Sequence, residues 1–323
     1  MSTANPSVLW DNRSTANFRA WAQAMHDSFA AVGMVQTTDT GQINISTAAP
    51  SSAGVYVGYE IWRFADSLQA TKPVFVKVEY GSGVNSTVQA AARFTVSNGT
   101  NGAGTLNGTL LMNSQQIQGQ YQTADTAPQP AFFCGDTSSI VFAWPTSNAT
   151  AGFRPSVVMI ERTRNTDGTP NGDAVGFTLM QGYGYGSNAS QYGDTFSQLM
   201  SYLNTQVGPV YRWAPIASPN TYGYWDSAGS IGTDINLFPY LMSSPKPEAQ
   251  ALSLLGCYAQ AMTVLTTAQV VVNGATHTYL ALGPQCYCSA LLYPQGGSWQ
   301  NAANNGIAYG ANSYVCSLLM RYE

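Results

Sequence analysis

Apolar and polar positions alternate along Thr71–Gly83, the segment around which we expect the rest of the chain to be arranged. One face of an extended backbone would carry three valines, namely Val74, Val76 and Val78. The opposite face would carry Phe75, Lys77 and Glu79. Alternation with a period of two is typical of a strand that is buried on one side. We therefore predict a central strand here, with Lys77 and Glu79 on its wetter face and with neighbouring elements covering both faces.

An amphipathic helix is predicted before this strand, beginning at Ser14 or Thr15 and ending at Gly33. Ser and Thr are preferred at helix N-termini, and Gly is common just after the last turn. Apolar residues recur every three or four positions and form a stripe of Phe18, Trp21, Met25, Phe29 and Val32. Such a stripe has to be buried, most simply against a face of the sheet.

Most of the remaining chain consists of short strand-like segments. They are Met34–Asp39, Gln42–Ser46, Gly58–Ala65, Gln89–Ser97, Leu110–Gln116, Ser139–Trp144, Pro155–Arg162, Ala174–Gln181, Val210–Ala217, Ala249–Thr263 and Tyr314–Tyr322. The Asn273-Gly274 pair between Val270–Val272 and Thr276–Leu282 predicts a tight hairpin. Thr195–Leu203 is interpreted as a short helix or turn, and Asn98–Gly108 as a long glycine-rich loop.

Short strands at regular intervals, with few helices, indicate a mainly β fold. We expect an antiparallel β-sandwich-like body with the N-terminal amphipathic helix packed on it and with long Gly- and Tyr-rich loops. Residues 1–323 are expected to form one large β-rich domain. The alternative is a subdivision into a helix plus β body at residues 1–181 and a loop-rich region with returning C-terminal strands at residues 182–323.

Ionised side chains are unusually sparse, because 9% of the residues are charged against about 25% in typical soluble proteins. A monomer of 34.4 kDa should expose about 13,000 Å² of surface, which leaves about 460 Å² for each charged side chain. Two interpretations compete. Either much of the surface is buried against partner subunits, or the protein works outside the cell, where neutral hydrogen-bonding surfaces are common. Both argue against a cytosolic metabolic enzyme.

Several other classes of protein are disfavoured by the sequence. The net charge is −4 and no run of Lys or Arg occurs, so we expect no nucleic-acid binding. No apolar stretch approaches the roughly 20 residues that span a bilayer. The N-terminus lacks the basic and apolar regions of a secretory signal, so we expect synthesis in the cytoplasm.

Metal and cofactor sites are not expected either. Cys286 and Cys288 have C-x-C spacing instead of the C-x-x-C of zinc and redox sites, and the five cysteines are predicted to be buried free thiols. Asp167 and Asp173 flank a Gly-rich tip but lack the regular acidic spacing of a calcium loop. We interpret that tip as a plain turn.

Recognisable catalytic motifs are absent from the sequence, and we expect no enzymatic activity. No Gly-x-Ser-x-Gly elbow, His-Glu-x-x-His pair or phosphate-binding loop occurs. Glu60, Asp66 and Glu79 are the carboxylates from which a glycoside-hydrolysing pair would be drawn. His26 and Asp27 are adjacent helical positions that do not face each other, so they are expected to be solvated or to lie at an interface.

Aromatic residues in polar, uncharged, Gly-rich segments are the best candidates for contacts with other molecules. These residues are Tyr183, Tyr185, Tyr192, Tyr222, Tyr224 and Trp225. Tyr and Trp are typical contact residues at interfaces and also suit stacking on sugars. They are predicted to contact subunits or a receptor. The alternative is that they pack their long loops onto the body of the protein itself.

Several stretches of the chain resemble structural proteins of tailed bacteriophages. The stretches are F-R-A-W-A-Q-A-M through T-D-T-G-Q-I in Phe18–Ile43, G-Y-E-I-W-R-F-A-D-S-L-Q-A-T-K-P-V-F-V-K-V-E-Y-G-S-G in Gly58–Gly83, N-G-T-N-G-A-G in Asn98–Gly104, V-V-M-I-E-R-T-R-N-T-D-G in Val157–Gly168, H-T-Y-L-A-L-G in His277–Gly283 and L-L-M-R-Y-E in Leu318–Glu323. The resemblance implies a virion component and supplies no catalytic motif.

The expected function is therefore that of a non-enzymatic structural subunit of a tailed bacteriophage particle. The resemblance and the sparse charge favour the tail, at its tip, baseplate, neck or fibre attachment region, and assembly as an oligomer. Its partners would be copies of itself and other virion proteins, and its location the virion. Two alternatives stay open, a capsid decoration protein and a tail protein that binds or degrades a host surface glycan.

Overall fold

Among the residues that the structure describes, the protein is mainly β, with an N-terminal helix and several antiparallel sheets, which confirms the predicted fold class. A computed structural model describes residues 1–83, 86–118, 127–145, 155–165, 169–180, 195–201, 213–215, 237–242, 251–258, 265–272, 275–282 and 317–322. Helix α1 spans Thr15–Ala31, and a short 3-10 helix spans Ser67–Ala70.

The strands follow in chain order as β1 Ser2–Ala4, β2 Ser7–Val8, β3 Val35–Gln36, β4 Tyr56–Arg63, β5 Phe75–Gly83, β6 Ser86–Thr100, β7 Leu106–Gln118, β8 Gln129–Pro130, β9 Phe132–Asp136, β10 Ser139–Pro145, β11 Pro155–Arg164, β12 Pro170–Met180, β13 Thr195–Ser201, β14 Trp213–Pro215, β15 Leu237–Met242, β16 Ala251–Tyr258, β17 Thr267–Val272, β18 Ala275–Ala281 and β19 Ser317–Arg321. All of their recorded pairings within the sheets are antiparallel.

The first sheet has the strand order β3-β4-β5-β6-β7, so the predicted central strand β5 lies in its middle. Its inward positions are fully buried or nearly so, and comprise Val74, Val76, Val78 and Tyr80. Phe75, Lys77 and Glu79 lie on the outward face and are half-buried. The wetter face is thus where the alternation predicted it. Neighbouring elements cover this outward face in part, because Phe75, Lys77 and Glu79 are half-buried whereas Ile61, which lies opposite Lys77 in β4, is fully buried.

The middle sheet has the order β1-β9-β10-β11-β12-β13 and is buried on both faces. Alternate side chains pack with the helix and the first sheet, and include Ile140, Phe142, Trp144, Val158 and Ile160. The intervening side chains point to the opposite face and are also buried, and include Val141, Ala143, Val157 and Met159. This explains why β10 and β11 read as nearly continuous apolar runs in the sequence.

A third sheet has the order β14-β15-β16-β19-β18-β17, and its strand β16 packs beside β10 and β11. The hairpin predicted around Asn273-Gly274 is confirmed, since Val272 pairs with Ala275. The predicted last strand is confirmed as β19, which pairs with β16 and β18. The middle sheet is therefore an internal layer, with the first sheet on one face and β16 on the other.

Helix α1 packs into the space between the first and middle sheets. The Ser14 hydroxyl caps it by accepting a hydrogen bond from the Asn17 backbone N–H at 3.0 Å. After the last turn, Gly33 has a φ of +99°, which a residue without a Cβ adopts most easily. All five residues of the predicted stripe are buried. No helix among the residues described is long and apolar enough to cross a bilayer.

Aromatic contacts from the helix reach both sheets. The Phe29 ring lies 5.6 Å from Trp62 of the first sheet and 5.8 Å from Phe142 of the middle sheet, centroid to centroid. Trp21 similarly lies 5.6 Å from Tyr80 and 5.3 Å from Trp144. The helix therefore joins the two sheets through one aromatic core.

The loop within the glycine-rich segment Asn98–Gly108 is shorter than predicted, because both ends of the segment belong to strands. Strand β6 continues to Thr100, where it pairs with Leu106 of β7, and Gly99 pairs with Asn107. The ladder is irregular, and Gly108 has a φ of +74°. The prediction of a long loop is wrong because pairing with a long neighbouring strand outweighs the low strand propensity of Gly and Asn.

Thr195–Ser201 is a strand, not the predicted short helix or turn. Phe196, Leu199 and Met200 are spaced as on one side of a helix. The segment instead pairs along its whole length with β12, for example Phe196 with Leu179. The prediction failed because an open strand edge in the middle sheet supplies hydrogen-bond partners that local periodicity cannot reveal.

Gln42–Ser46 forms no strand, although alternation predicted one. The strand predicted at Met34–Asp39 is shorter than expected and spans only Val35–Gln36. The Gln42 side chain takes the place of a paired strand beside β4. Its Nε2 donates to the Thr37 carbonyl oxygen at 2.8 Å, and its Oε1 accepts from the Ile61 N–H at 2.8 Å. One amide side chain thus satisfies backbone groups that the hydrogen bonds of a paired strand would otherwise satisfy.

The domain organisation stays a prediction, both as one domain over residues 1–323 and as the alternative subdivision into residues 1–181 and 182–323.

Candidate functional site

The six aromatic residues predicted as contacts lie outside the described residues. They are Tyr183, Tyr185, Tyr192, Tyr222, Tyr224 and Trp225. Their role at a subunit or receptor interface stays a prediction. Asp167, Cys286 and Cys288 also lie outside the described residues. The plain turn predicted between Asp167 and Asp173 is shorter than expected, because strand β12 begins at Pro170, which pairs with Arg164, and already includes Asp173.

The three carboxylates considered for hydrolysis do not converge on one site. Glu60 lies opposite Val78 and points inward, whereas Glu79 lies opposite Tyr59 and points outward. Asp66 is engaged elsewhere, because its Oδ2 accepts from Arg162 Nε at 2.6 Å. Register therefore separates Glu60 and Glu79 by the thickness of the sheet, which the sequence spacing alone does not show.

Glu60 is instead the centre of a buried hydrogen-bond cluster. Its Oε2 accepts from the Tyr80 hydroxyl at 2.5 Å and from Trp62 Nε1 at 3.3 Å. Its Oε1 lies 2.6 Å from His26 Nδ1 and accepts from Gln36 Nε2 at 3.3 Å. Burial and the adjacent Glu60 raise the pKa of Tyr80 well above its usual value, so the phenol stays a neutral donor. His26 is thus neither simply solvated nor paired with Asp27.

Arg162 and Arg164 of strand β11 form a second set of ion pairs. Arg162 is fully buried, binds Asp66 and lies with its guanidinium carbon 5.3 Å from the centroid of the Phe64 ring. Arg164 Nε donates to Glu161 at 2.8 Å, and its Nη2 donates to Asp136 at 2.9 Å. Burial opposes ionisation of Asp136, but the Arg164 charge and hydrogen bonds from neighbouring serines hold the pKa of this carboxyl below its usual value.

Cysteine and metal chemistry find little support in the part of the chain that the structure describes. Cys134 is a buried free thiol, and burial raises its pKa to about 12, so the reactive thiolate is disfavoured. No group of three or more His, Cys, Asp or Glu side chains suited to hold a metal occurs among the described residues.

The outward face of the first sheet carries a group of aromatic and charged side chains that stay partly exposed. We call this surface the platform, and define it by Tyr56, Tyr59, Arg63, Phe75, Lys77, Glu79, Arg93 and Gln116, all half-buried. Two of these residues, Tyr56 and Tyr59, are three apart, which in a regular strand would place them on opposite faces. An irregularity between Tyr56 and Gly58 shifts the register and brings both tyrosines to the outward face.

Side chains of the platform are held in place by contacts with one another. Arg93 donates two hydrogen bonds of 2.6 Å to Glu79, and its guanidinium lies 4.2 Å from the centroid of the Tyr56 ring. The Tyr56 hydroxyl donates to Gln116 Oε1 at 2.6 Å. Sequence reasoning identified Lys77 and Glu79 as exposed, but it missed this arrangement because strand register and the irregularity in β4 bring the partners together.

A second group of contacts joins the platform to the β6–β7 turn. Lys77 Nζ lies 4.2 Å from the centroid of the Tyr59 ring and donates to the Gly104 carbonyl oxygen at 2.9 Å. The Tyr59 hydroxyl donates to the Thr40 carbonyl oxygen at 2.8 Å. Arrangements of Arg, Lys and Tyr such as these are suited to contact another molecule through polar and cation–π interactions.

Comparison with known proteins gives no family assignment, since no protein-family model and no curated protein sequence matches this chain.

Proposed function

We propose that the protein is a non-enzymatic structural subunit of a tailed bacteriophage particle, acting in the tail through assembly into an oligomer. The tail tip, baseplate, neck and fibre attachment region are the positions that the proposal covers. The stretches that resemble phage structural proteins support a location in a phage particle. The scarcity of charged residues supports assembly into an oligomer.

The observation that carries the proposal is the way in which the few ionised side chains are used. Within the described residues, many of them pair with one another; the paired residues are Asp11 with Arg13, Asp66 with Arg162, Glu79 with Arg93, and Arg164 with both Asp136 and Glu161. A chain with 28 acidic and basic residues thus retains even fewer unpaired charges for its exterior. Exteriors of this kind are suited to contact with neighbouring subunits, because the centres of interfaces are depleted in charged residues overall and enriched in Arg and aromatic residues.

Localisation in purified particles is the direct test. Antibodies against the chain would be used to label intact particles for electron microscopy, and separated heads and tails would be analysed by quantitative mass spectrometry. We expect label and peptides on the tail, in a copy number that matches a symmetric oligomer. Label spread over the head would support a capsid decoration protein instead, and absence from both fractions would overturn the proposal.

Molar mass in solution is an independent check on assembly. Light scattering on the purified full chain should show a species larger than one chain, or should show one when other particle proteins are added. A monodisperse monomer of 34.4 kDa that stays single and associates with no particle component would count against the proposal.

A further inference from the structure

We propose that the platform is a contact surface between copies of this chain and that its occupant is a second copy, which contributes carboxylates to the contact. This inference rests on the proposed function, because it names the contact through which copies would assemble. The platform was defined above by eight half-buried side chains on the outward face of the first sheet.

Pre-organisation of the platform favours binding of a partner. Lys77 is fixed by the Tyr59 ring and by the Gly104 carbonyl oxygen, and Arg93 is fixed by the Tyr56 ring and by both oxygens of Glu79. Long charged side chains normally lose rotamer freedom when a partner immobilises them. Since these side chains are already held, that cost is largely met before a partner arrives.

The charge of the platform is complementary to acidic groups. It holds three cations, Arg63, Lys77 and Arg93, against one carboxylate, that of Glu79. Glu79 pairs with Arg93, and among the residues that the structure describes neither Arg63 nor Lys77 forms an ion pair. Two half-exposed cations are therefore available for carboxylates that a partner supplies.

The chain itself contains an excess of suitable carboxylates. Residues 1–164 hold equal numbers of acidic and basic residues, so the entire net charge of −4 belongs to residues 165–323. The acidic residues of that half are Asp167, Asp173, Asp194, Asp226, Asp234, Glu248 and Glu323, and the basic ones are Arg212, Lys246 and Arg321. A second copy can therefore supply the opposite charge through a different part of its own chain.

Such a contact would be heterologous, because the cationic platform of one copy meets carboxylates from a different part of the next chain. Contacts of this type propagate into rings or open helical arrays instead of closing as a two-fold dimer. Stacking of a sugar is less favoured than a protein contact, because a cation lies over the Tyr56 ring and another over the Tyr59 ring.

Charge reversal tests whether the platform carries assembly. The full chain with Arg63→Glu and Lys77→Glu would be compared with wild type by sedimentation velocity over a range of concentrations, at about 50 mM and about 500 mM salt. We expect self-association of wild type to weaken with salt, and the double variant to associate at least about tenfold more weakly at low salt. Arg13→Glu, outside the platform, is the control, and thermal unfolding checks that each variant is folded.

Cross-linking identifies the occupant. A carbodiimide joins lysine amines to carboxylates without a spacer, and mixing isotopically labelled and unlabelled chains distinguishes links between copies from links within one. We expect Lys77 to be linked between copies to acidic residues of the 165–323 half. Absence of such links in an assembled sample, or links from Lys77 within one chain alone, would overturn the inference.

The outcomes separate this inference from the proposed function. If wild type assembles and the double variant assembles equally well, the platform is not the contact, although the structural role stands. If wild type neither self-associates nor joins particles, both fail. If the double variant loses binding on a glycan array but assembles normally, the platform binds a glycan and the inference is wrong.

Discussion

At the scale of single residues, Gly104 shows how closely the backbone approaches a side chain of the platform. Gly104 has a φ of +84°, and a Cβ at this position would collide with the Tyr59 hydroxyl oxygen. Gly102 has a similar φ of +76° but nothing within 4 Å of its Cβ position. The two glycines therefore share the conformational requirement and differ in the available space.

Gly104→Ala should destabilise the protein by more than Gly102→Ala does. Each substitution places an L side chain at positive φ, which costs about 1–2 kcal/mol. Gly104→Ala must also displace Tyr59, which should cost at least about 1 kcal/mol more. Denaturant unfolding of both variants measures the difference, and equal losses would show that the close approach to Tyr59 is unimportant.

Glu60 and Glu79 form a second matched pair, on neighbouring strands but on opposite faces. Glu60→Gln should lower the free energy of unfolding by about 3 kcal/mol, because an amide offers one acceptor oxygen where the carboxylate offers two, so its N–H₂ group faces a hydrogen-bond donor of Tyr80 and Trp62 or of Gln36. Glu79→Gln, in a partly exposed ion pair, should cost about 1 kcal/mol or less. Chemical denaturation of the two variants tests this, and a loss for Glu60→Gln no larger than that for Glu79→Gln would contradict it.

At the scale of elements, helix α1 stabilises the body because its side chains contact two sheets at once. Phe29 is 1% exposed and contacts aromatic rings of both sheets. The alternation of β4 and β5 then leaves the far side of the first sheet for polar contacts. The inward face of the first sheet therefore packs into the core, and its outward face bears the platform.

Truncation of the helix contact should weaken the joint between the sheets. Phe29→Ala should cost about 3–5 kcal/mol, because it leaves a cavity among well-packed rings. Phe75→Ala on the half-buried outward face removes the same atoms and should cost clearly less. Thermal and denaturant unfolding of both variants measure this contrast. Similar losses would mean that α1 does not join the two sheets through Phe29.

At the scale of the whole molecule, buried and hydrogen-bonded carboxylates make the free energy of unfolding depend on pH in the acidic range. Burial opposes ionisation of Asp39, but hydrogen bonds from Thr100, Thr37 and Gly104 outweigh it and lower the pKa of this carboxyl below 3.8. The pKa of Asp136 is lowered as well, chiefly by the Arg164 charge. At acidic pH the unfolded chain therefore binds more protons at these sites than the folded chain does.

The stability that these carboxylates contribute should be present above their unfolded pKa and be lost as pH falls through the lowered folded values. Asp39→Asn removes one of them, so the difference in unfolding free energy between wild type and variant should shrink as pH falls from about 6 to about 2. Asp27→Asn on the exposed side of α1 provides a control with the same change in charge. A difference for Asp39→Asn that stays constant over this range would contradict the prediction.

Elements whose signals are local could be predicted from the amino-acid sequence. The capped helix with its apolar stripe, the central strand around Val76 and the Asn273-Gly274 hairpin were all predictable, because periodicity and turn chemistry act over a few residues. The wetter face with Lys77 and Glu79 followed from the same alternation. The sparse charge was visible too, and so was the absence of familiar catalytic motifs.

The packing of these elements against one another, and the pairing of their side chains, became evident from the folded chain. Strand register set Glu60 and Glu79 on opposite faces, and an irregularity of β4 brought Tyr56 beside Arg93. Pairing with β12 overrode the helical spacing of Phe196, Leu199 and Met200. The physical reason is common to all three cases: hydrogen bonds and contacts between distant segments depend on the neighbours that a strand acquires, and its own residues do not specify those neighbours.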